Sequence, residues 1–300
     1  MKHLLPTLRL SLDMTDVLAR IEQTGIKINL DTLHEIRLEY ERELTSIDKR
    51  LKELANEVMG DTPINLNSSD DRSMLFYSRK ITNKDTWARL FNIGHEMRGA
   101  TKKIKMRKRM SKTAFANAVR NNTVIMKRTH AYQCADCKGV GRYAPTRKDG
   151  TLGKAIRICK PCSGGGVIYK NSNVVAGLKI VPRSTKDVAQ AGFKTDKTTL
   201  EGMLPELKGD AKEFVELYVR YSALRTYLST FVEGIENNVD KNNFIHPEFM
   251  QCITATGRLS SRNPNFQNMP RGSTFRIRKV VESRFEGGSI IEGDYSQLEF

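Results

Sequence analysis

Apolar residues return every three or four positions across two long stretches of this chain. Leu33, Ile36, Tyr40, Leu44, Ile47, Leu51 and Leu54 form the first set, with acidic and basic residues alternating between them. That period lays one apolar stripe along a helix and leaves its other faces to water. The helix expected runs from Asp31 to Val58 and, at a rise of about 1.5 Å per residue, spans about 40 Å. Phe214, Leu217, Tyr218, Tyr221, Leu224, Leu228 and Phe231 form the second set and predict a helix from Asp210 to Gly234. Its aromatic residues read as packing core rather than as platforms for bases. Near the end the period shortens. Ser289-Ile-Ile-Glu-Gly-Asp294 reads as a short buried strand ending in an acid, and Phe275 to Val281 as another strand. Thr256 to Pro270 follows neither period, and its Gly, Ser, Asn and Pro residues mark irregular backbone.

Between the two helical stretches the sequence changes character. Arg98, Lys102, Lys103, Lys105, Arg107, Lys108, Arg109 and Lys112 make a run without an acid. Pairing with phosphate would relieve the repulsion and release counterions; a solvated basic arm is the competing reading. Next, Cys134-x-x-Cys137-x-Gly139-x-Gly141 repeats as Cys159-x-x-Cys162-x-Gly164-x-Gly166. Each half is expected to be a tight turn presenting two sulfurs, with glycine letting backbone N–H groups approach them. Two such turns complete a tetrahedral zinc site with Zn–S bonds of about 2.3 Å. Four protein ligands imply a structural ion, which would supply folding energy to a module too small for much of a core. Use as a redox dithiol would want a thioredoxin-like context, which the surrounding sequence lacks. Cys252 stands alone and reads as a small core residue. His246, before Pro247, reads as structural or close to a nucleic acid rather than as a metal ligand.

Composition narrows the partners. The chain has 300 residues, enough for one large or two to three small domains, and a net charge of +16. Such an excess favours a polyanion, usually nucleic acid. No long apolar segment or secretory leader is visible, so no membrane is expected. A reducing, cytoplasmic setting follows, in which cysteines hold metal rather than pair with one another.

The residues that carry a family likeness lie mostly at the end. Gln251, Thr254-Ala-Thr256-Gly-Arg258-Leu-Ser-Ser261, Pro264-Asn265, Gln267-Asn268-Met-Pro270, Arg276-Ile-Arg278, Phe285 and Asp294-Tyr295-Ser-Gln-Leu-Glu299 resemble, in order and spacing, the start of the palm of a family A DNA polymerase. Phe300 departs from it, since the family usually continues with Leu-Arg. Asp16 to Asn29, Ile64 to Ser69 and Lys194 to Leu200 are similar to parts of the thumb. The resemblance implies an α+β architecture. Its parts are a mainly helical thumb, a zinc-ribbon-like insertion, and the first strands of an antiparallel palm sheet. The expected boundaries are 1–80 for the first part of the thumb, 81–193 for the basic and zinc-binding insertion, 194–240 for the second long helix, and 241–300 for the start of the palm.

The same resemblance implies roles. Asp294 would be a magnesium ligand, the Tyr295 carbonyl would help hold an ion, and Glu299 would crowd the sugar 2′ carbon and disfavour ribonucleotides. Two magnesium ions stabilise the attacking and leaving oxygens of nucleotidyl transfer. Only half of that site is expected here, because the fingers helix and the second catalytic carboxylate belong to a later portion. Deoxynucleoside triphosphates would therefore be substrates of the complete enzyme, with a complementary C-terminal polymerase chain as partner and the isolated chain inactive. Arg258 would reach the minor groove at the primer end, where acceptors look alike in every correct pair. Thr256, Asn265, Gln267 and Asn268 would touch primer-template DNA, although such amides equally satisfy loop backbone. The insertion would serve as a DNA clamp or bind a processivity or replisome protein. If phage-encoded, the protein would work in its host's cytoplasm. A non-catalytic, zinc-containing DNA-binding protein derived from a polymerase is the second reading. A chaperone module is the third, because the doubled Cys-x-x-Cys-x-Gly-x-Gly resembles the cysteine-rich domain of DnaJ-type co-chaperones, but the His-Pro-Asp tripeptide is lacking.

Overall fold

The structure is a computed structural model. It describes residues 5–93, 109–146, 148, 150, 151, 153, 155–251, 253, 254, 257–270, 275–291 and 293. In chain order its elements begin with α1 (Leu5–Thr24), β1 (Ile26–Ile28), α2 (Leu30–Met59), α3 (Ser69–Tyr77), β2 (Arg79–Ile81) and α4 (Lys84–Leu90). Then come α5 (Lys112–Asn122), β3 (Thr123–Ile125), β4 (Lys127–Gln133), β5 (Arg142–Tyr143), β6 (Arg157–Ile158) and β7 (Val167–Val175). The last group is β8 (Val188–Ala189), β9 (Gly192–Phe193), α6 (Lys197–Met203), α7 (Gly209–Tyr227), α8 (Glu233–Glu236), β10 (Phe244–Ile245), β11 (Glu248–Met250), β12 (Ser260–Arg262) and β13 (Val281–Glu282). They form two compact units, one of Met1–Ile47 with Arg220–Phe300 and one of Asp48–Val219.

In the first unit β1 is the centre of a three-stranded antiparallel sheet, with β10 and β13 on its two sides. The apolar stripe of α2 behaves as its period requires: Leu33, Ile36, Tyr40 and Ile47 are buried. Leu224, Tyr227, Val232 and Ile235 from the chain's other long helical stretch are buried as well. Tyr227 stacks on Phe275 at 4.4 Å between ring centres and meets Tyr40 edge-on at 5.2 Å. Arg220 grips Glu43 with two hydrogen bonds of 2.6 and 2.8 Å, and Arg37 pairs with Glu236. Position 43 faces 220 and position 37 faces 236, so the two helical stretches run antiparallel.

The second helical stretch is not one helix. After Tyr227 the backbone makes a wide turn from Leu228 to Val232, closed by Glu233 N–H donating to the Leu228 carbonyl, and then resumes as α8. A turn of five adds a residue to the face count. Val232 and Ile235 therefore point inward, and Phe231, expected in the stripe, is only half-buried.

The two strands expected near the end are corrected. From Ile277 to Val280 the backbone is a tight four-residue helix with three residues per turn, and only Val281–Glu282 pairs as a strand. The buried positions are Ile277 and Val280, three apart, which is the period of that helix and not of a strand. Of the second expected strand, residues 289–291 and 293 are described and are irregular, with Ile290 57% and Ile291 93% exposed. No partner strand lies beside them among the described residues, and a lone strand leaves its backbone unpaired.

In the second unit four helices start where a polar side chain accepts from a backbone N–H of the first turn. Ser68 does so for α3, Asn83 for α4, Ser111 for α5 and Asp196 for α6. An aromatic core joins them. Trp87 packs edge-on against Phe91 at 4.6 Å and Phe193 at 5.4 Å, and its Nε1–H donates to the Ala189 carbonyl at 2.9 Å. Phe76 meets Phe214 and Tyr218, both at 5.6 Å. The region 81–193 is sewn to residues before it: β2 pairs with β3, and Gly177 N–H donates to the Val58 carbonyl at 2.9 Å.

Candidate functional site

The cysteine repeat folds as two copies of one turn. Lys138 and Ser163 have the same left-handed φ of 50°, followed by Gly139 at 84° and Gly164 at 87°, then Gly141 at 75° and Gly166 at 73°. Glycine takes those angles without strain. The hydrogen bonds repeat as well. Gly141 N–H donates to Cys137 Sγ at 3.2 Å, and Gly166 N–H to Cys162 Sγ at 3.3 Å. Between the halves, Cys134 N–H donates to the Gly166 carbonyl and Cys159 N–H to the Gly141 carbonyl, each at 2.9 Å. The contact is close: a Cβ on Gly141 would lie 2.0 Å from the Gly164 carbonyl oxygen, and one on Gly166 would lie 2.1 Å from that of Gly139.

These two interlocked turns gather four sulfurs within 4.8 Å of one another. Cys134 and Cys159 are 3.7 Å apart and Cys137 and Cys162 3.6 Å apart, Sγ to Sγ. A tetrahedron with bonds of about 2.3 Å has edges of about 3.8 Å, so the spacing suits a zinc-sized ion. The ionisation pattern suits one too. At Cys137 burial raises the thiol, but the Gly141 N–H and the neighbouring sulfurs outweigh it and bring it down to about 7. At Cys159 burial pushes the thiol up to about 12. Anions this close do not form together without a cation between them.

The second candidate region is the irregular loop around β11 and β12, which pair antiparallel from Glu248↔Arg262 to Met250↔Ser260. Arg258 is exposed between them, and Thr254 Oγ1–H donates to its carbonyl at 2.7 Å. Asn265 is half-buried, and its Oδ1 accepts from Ser261 Oγ–H at 3.1 Å and Asn268 N–H at 3.3 Å. Its carbonyl end therefore holds the loop, while Gln267 and Asn268 are exposed. Glu248 accepts from Arg262 at 2.6 Å and Asn263 at 2.8 Å, which keeps its carboxyl below the usual range. His246 is held by its neighbours: Nδ1 is 2.7 Å from the Glu22 carbonyl oxygen and Nε2 is 3.7 Å from Asp240.

Other expected site residues lie outside the described residues: Asp294, Tyr295, Glu299, Thr256, Lys102, Lys103, Lys105, Arg107 and Lys108, together with Cys252. Arg109 and Lys112 are described and exposed, Lys112 as the first residue of α5. The crossed contacts between the two turns were not expected, although the repeat offset carries the signal: each cysteine and each glycine of the motif recurs 25 positions later.

Residues 173–300 match the family DNA polymerase family A. The chain is 31% identical over 148 residues to the DNA polymerase of Bacillus phage SP01, which covers 46% of this chain and 16% of that polymerase. To DNA polymerase I of Synechocystis it is 35% identical over 150 residues, covering 49% and 14%. To the thermostable DNA polymerase I of Thermus filiformis it is 39% identical over 113 residues, covering 35% and 13%. The chain thus spans a small part of each relative's length. Among solved structures, the POL domain of Pol1 from M. smegmatis, in complex with DNA primer-template and dNTP, is similar at 19% identity with a TM-score of 0.43. That similarity covers 90% of this chain and 28% of that one.

Proposed function

We propose that these residues are the N-terminal portion of a DNA-directed DNA polymerase, comprising the thumb and the start of the palm. The match of residues 173–300 to DNA polymerase family A carries this reading. The antiparallel helical stretches make a stiff element suited to holding duplex product. The exposed Arg258, with Gln267 and Asn268 beside it in sequence, supplies donors to the primer-template without reading its sequence. Asp294 and the Tyr295 carbonyl would hold magnesium, which neutralises charge on the oxygens of nucleotidyl transfer; Glu299 would select against ribonucleotides. The basic run from Lys102 to Arg109 would pair with phosphate. In the domain reading, 1–80 and 194–240 are thumb, 81–193 is the insertion and 241–300 is palm. The four cysteines hold zinc as a structural ion, since their spacing fits its tetrahedron. No helix among the described residues is long and apolar enough to cross a membrane; a role in replication would call for a cytoplasmic location, that of the host if the protein is phage-encoded.

Primer extension tests this. The 300-residue chain alone incorporates no nucleotide, and adding the remaining fingers and palm portion of the polymerase restores extension. In that reconstituted enzyme Asp294→Ala reduces extension to background. Arg258→Ala weakens primer-template binding by about 1.5–3 kcal/mol, the range for hydrogen bonds from a charged donor. Full extension by the Asp294→Ala enzyme would refute the proposal, whereas DNA binding without any restorable extension would favour a non-catalytic DNA-binding protein.

A further inference from the structure

Lys127 to Lys170 holds ten lysines and arginines against two aspartates, so this short stretch supplies half of the chain's +16. Within it three tyrosines stand open to solvent: Tyr132 is 50% exposed, Tyr169 47% and Tyr143 40%. Rings left this open contribute little to a core. Two of them sit beside a cation. Lys170 Nζ lies 5.1 Å from the centre of the Tyr132 ring, and the register sets Tyr143 directly opposite Arg157.

The two placements follow from the repeat. Tyr132 and Arg157 each stand two residues before the first cysteine of their half, and Ile168 and Tyr143 each stand two residues after its last glycine. Accordingly Tyr132 pairs with Ile168 as Arg157 pairs with Tyr143. Ile168 packs on the sulfur cluster, which fixes the strand pair that carries Tyr132. Each of the two strand pairs that flank the cysteines therefore presents one open ring with a positive group next to it. On Tyr132's face of the β4–β7 pair the further titratable groups are His130 and Lys170, and Asp61 of the neighbouring loop lies 3.9 Å from His130.

Rings flanked by cations suit one polyanion in particular. Bases stack on exposed aromatic faces while lysine and arginine meet the phosphates, and the combination tolerates any sequence. A duplex keeps its base faces inside its own stack and could use only the cations. We propose that the cysteine-rich module binds single-stranded nucleic acid, with Tyr132 and Tyr143 as stacking platforms and Lys170 and Arg157 on the backbone. This rests on the nucleic-acid reading above and adds a contact surface to it.

The test uses the zinc-loaded 300-residue chain, a labelled oligo-dT and a labelled hairpin duplex, followed by fluorescence anisotropy at several salt concentrations. Tyr132→Ala and Tyr143→Ala should each lower affinity for oligo-dT by about 5- to 150-fold, the range of one base–aromatic stack. Tyr132→Phe and Tyr143→Phe should keep it. Lys170→Gln should flatten the slope of log affinity against log salt by about 0.7 for the single strand. Zinc content, measured for every variant, should not change, which separates loss of this face from loss of the fold. Undiminished oligo-dT affinity in both alanine variants would overturn the proposal, as would an equal loss on the duplex. Failure of the unmodified chain to bind either DNA would overturn the nucleic-acid reading along with it.

Discussion

The cysteine turns and the Trp87 core belong to the same compact unit, yet they are held together by different physics. Around Trp87, large rings meet edge-on at 4.6 to 5.4 Å and exclude water, and stability grows with the apolar area removed from solvent. Around Cys134 there is almost no such area: Val140 is 73%, Ile156 73% and Ile158 62% exposed. What the turns have instead is directed bonding, N–H to sulfur and N–H to carbonyl, converging on a point with room for one ion. The difference is that between a core that degrades by degrees and one that would depend on a single component, a bound ion.

The sharpest way to break the comparison is to remove that component. Chelation should cost the turns about 10 kcal/mol or more, the scale of structural zinc binding, and Cys134→Ser a part of that. Proteolysis would then open the chain between Gln133 and Val167, while helical circular dichroism stays nearly constant. Resistance to proteolysis in the chelated chain would show that the turns stand without metal. Next in size is Trp87→Ala, expected to cost about 3–5 kcal/mol by emptying the aromatic core and orphaning the Ala189 carbonyl. Urea titration measures it, and zinc content should be unaffected; loss of zinc would mean the two regions are not separate. Smallest are Gly141→Ala and Gly166→Ala. Each forces a side chain into a left-handed angle, at about 1–3 kcal/mol, and each pushes against the opposite carbonyl. Zinc competition assays should show equal losses for the two, and unequal losses would deny the equivalence of the halves.

The same contrast explains what the sequence made legible. Where identity and spacing are both fixed by one atom-scale requirement, as at Cys134, Cys137, Cys159 and Cys162, reading the residues was enough to place four sulfurs together. The stripes of α2 and α7 were legible because burial imposes a period, and Leu33, Ile36 and Tyr40 obey it. Features that depend on the backbone's choice among near-equal alternatives were not. Nothing in Leu228-Ser-Thr-Phe-Val232 announces a wide turn, so Phe231 was expected to face inward and Val232 takes its place. Phe275 to Val281 is apolar enough for a strand, but the inward positions are three apart and Phe275 is taken up by stacking on Tyr227. Asn265 shows the same ambiguity at a single amide, whose oxygen is occupied by its own loop.

The crossed glycines carry one more consequence. Because the carbonyl that seats each turn is supplied by the other, neither can drift apart from its twin while the first stays in place. Opening should be all-or-none, with a midpoint that belongs to the pair and no half-open species to detect.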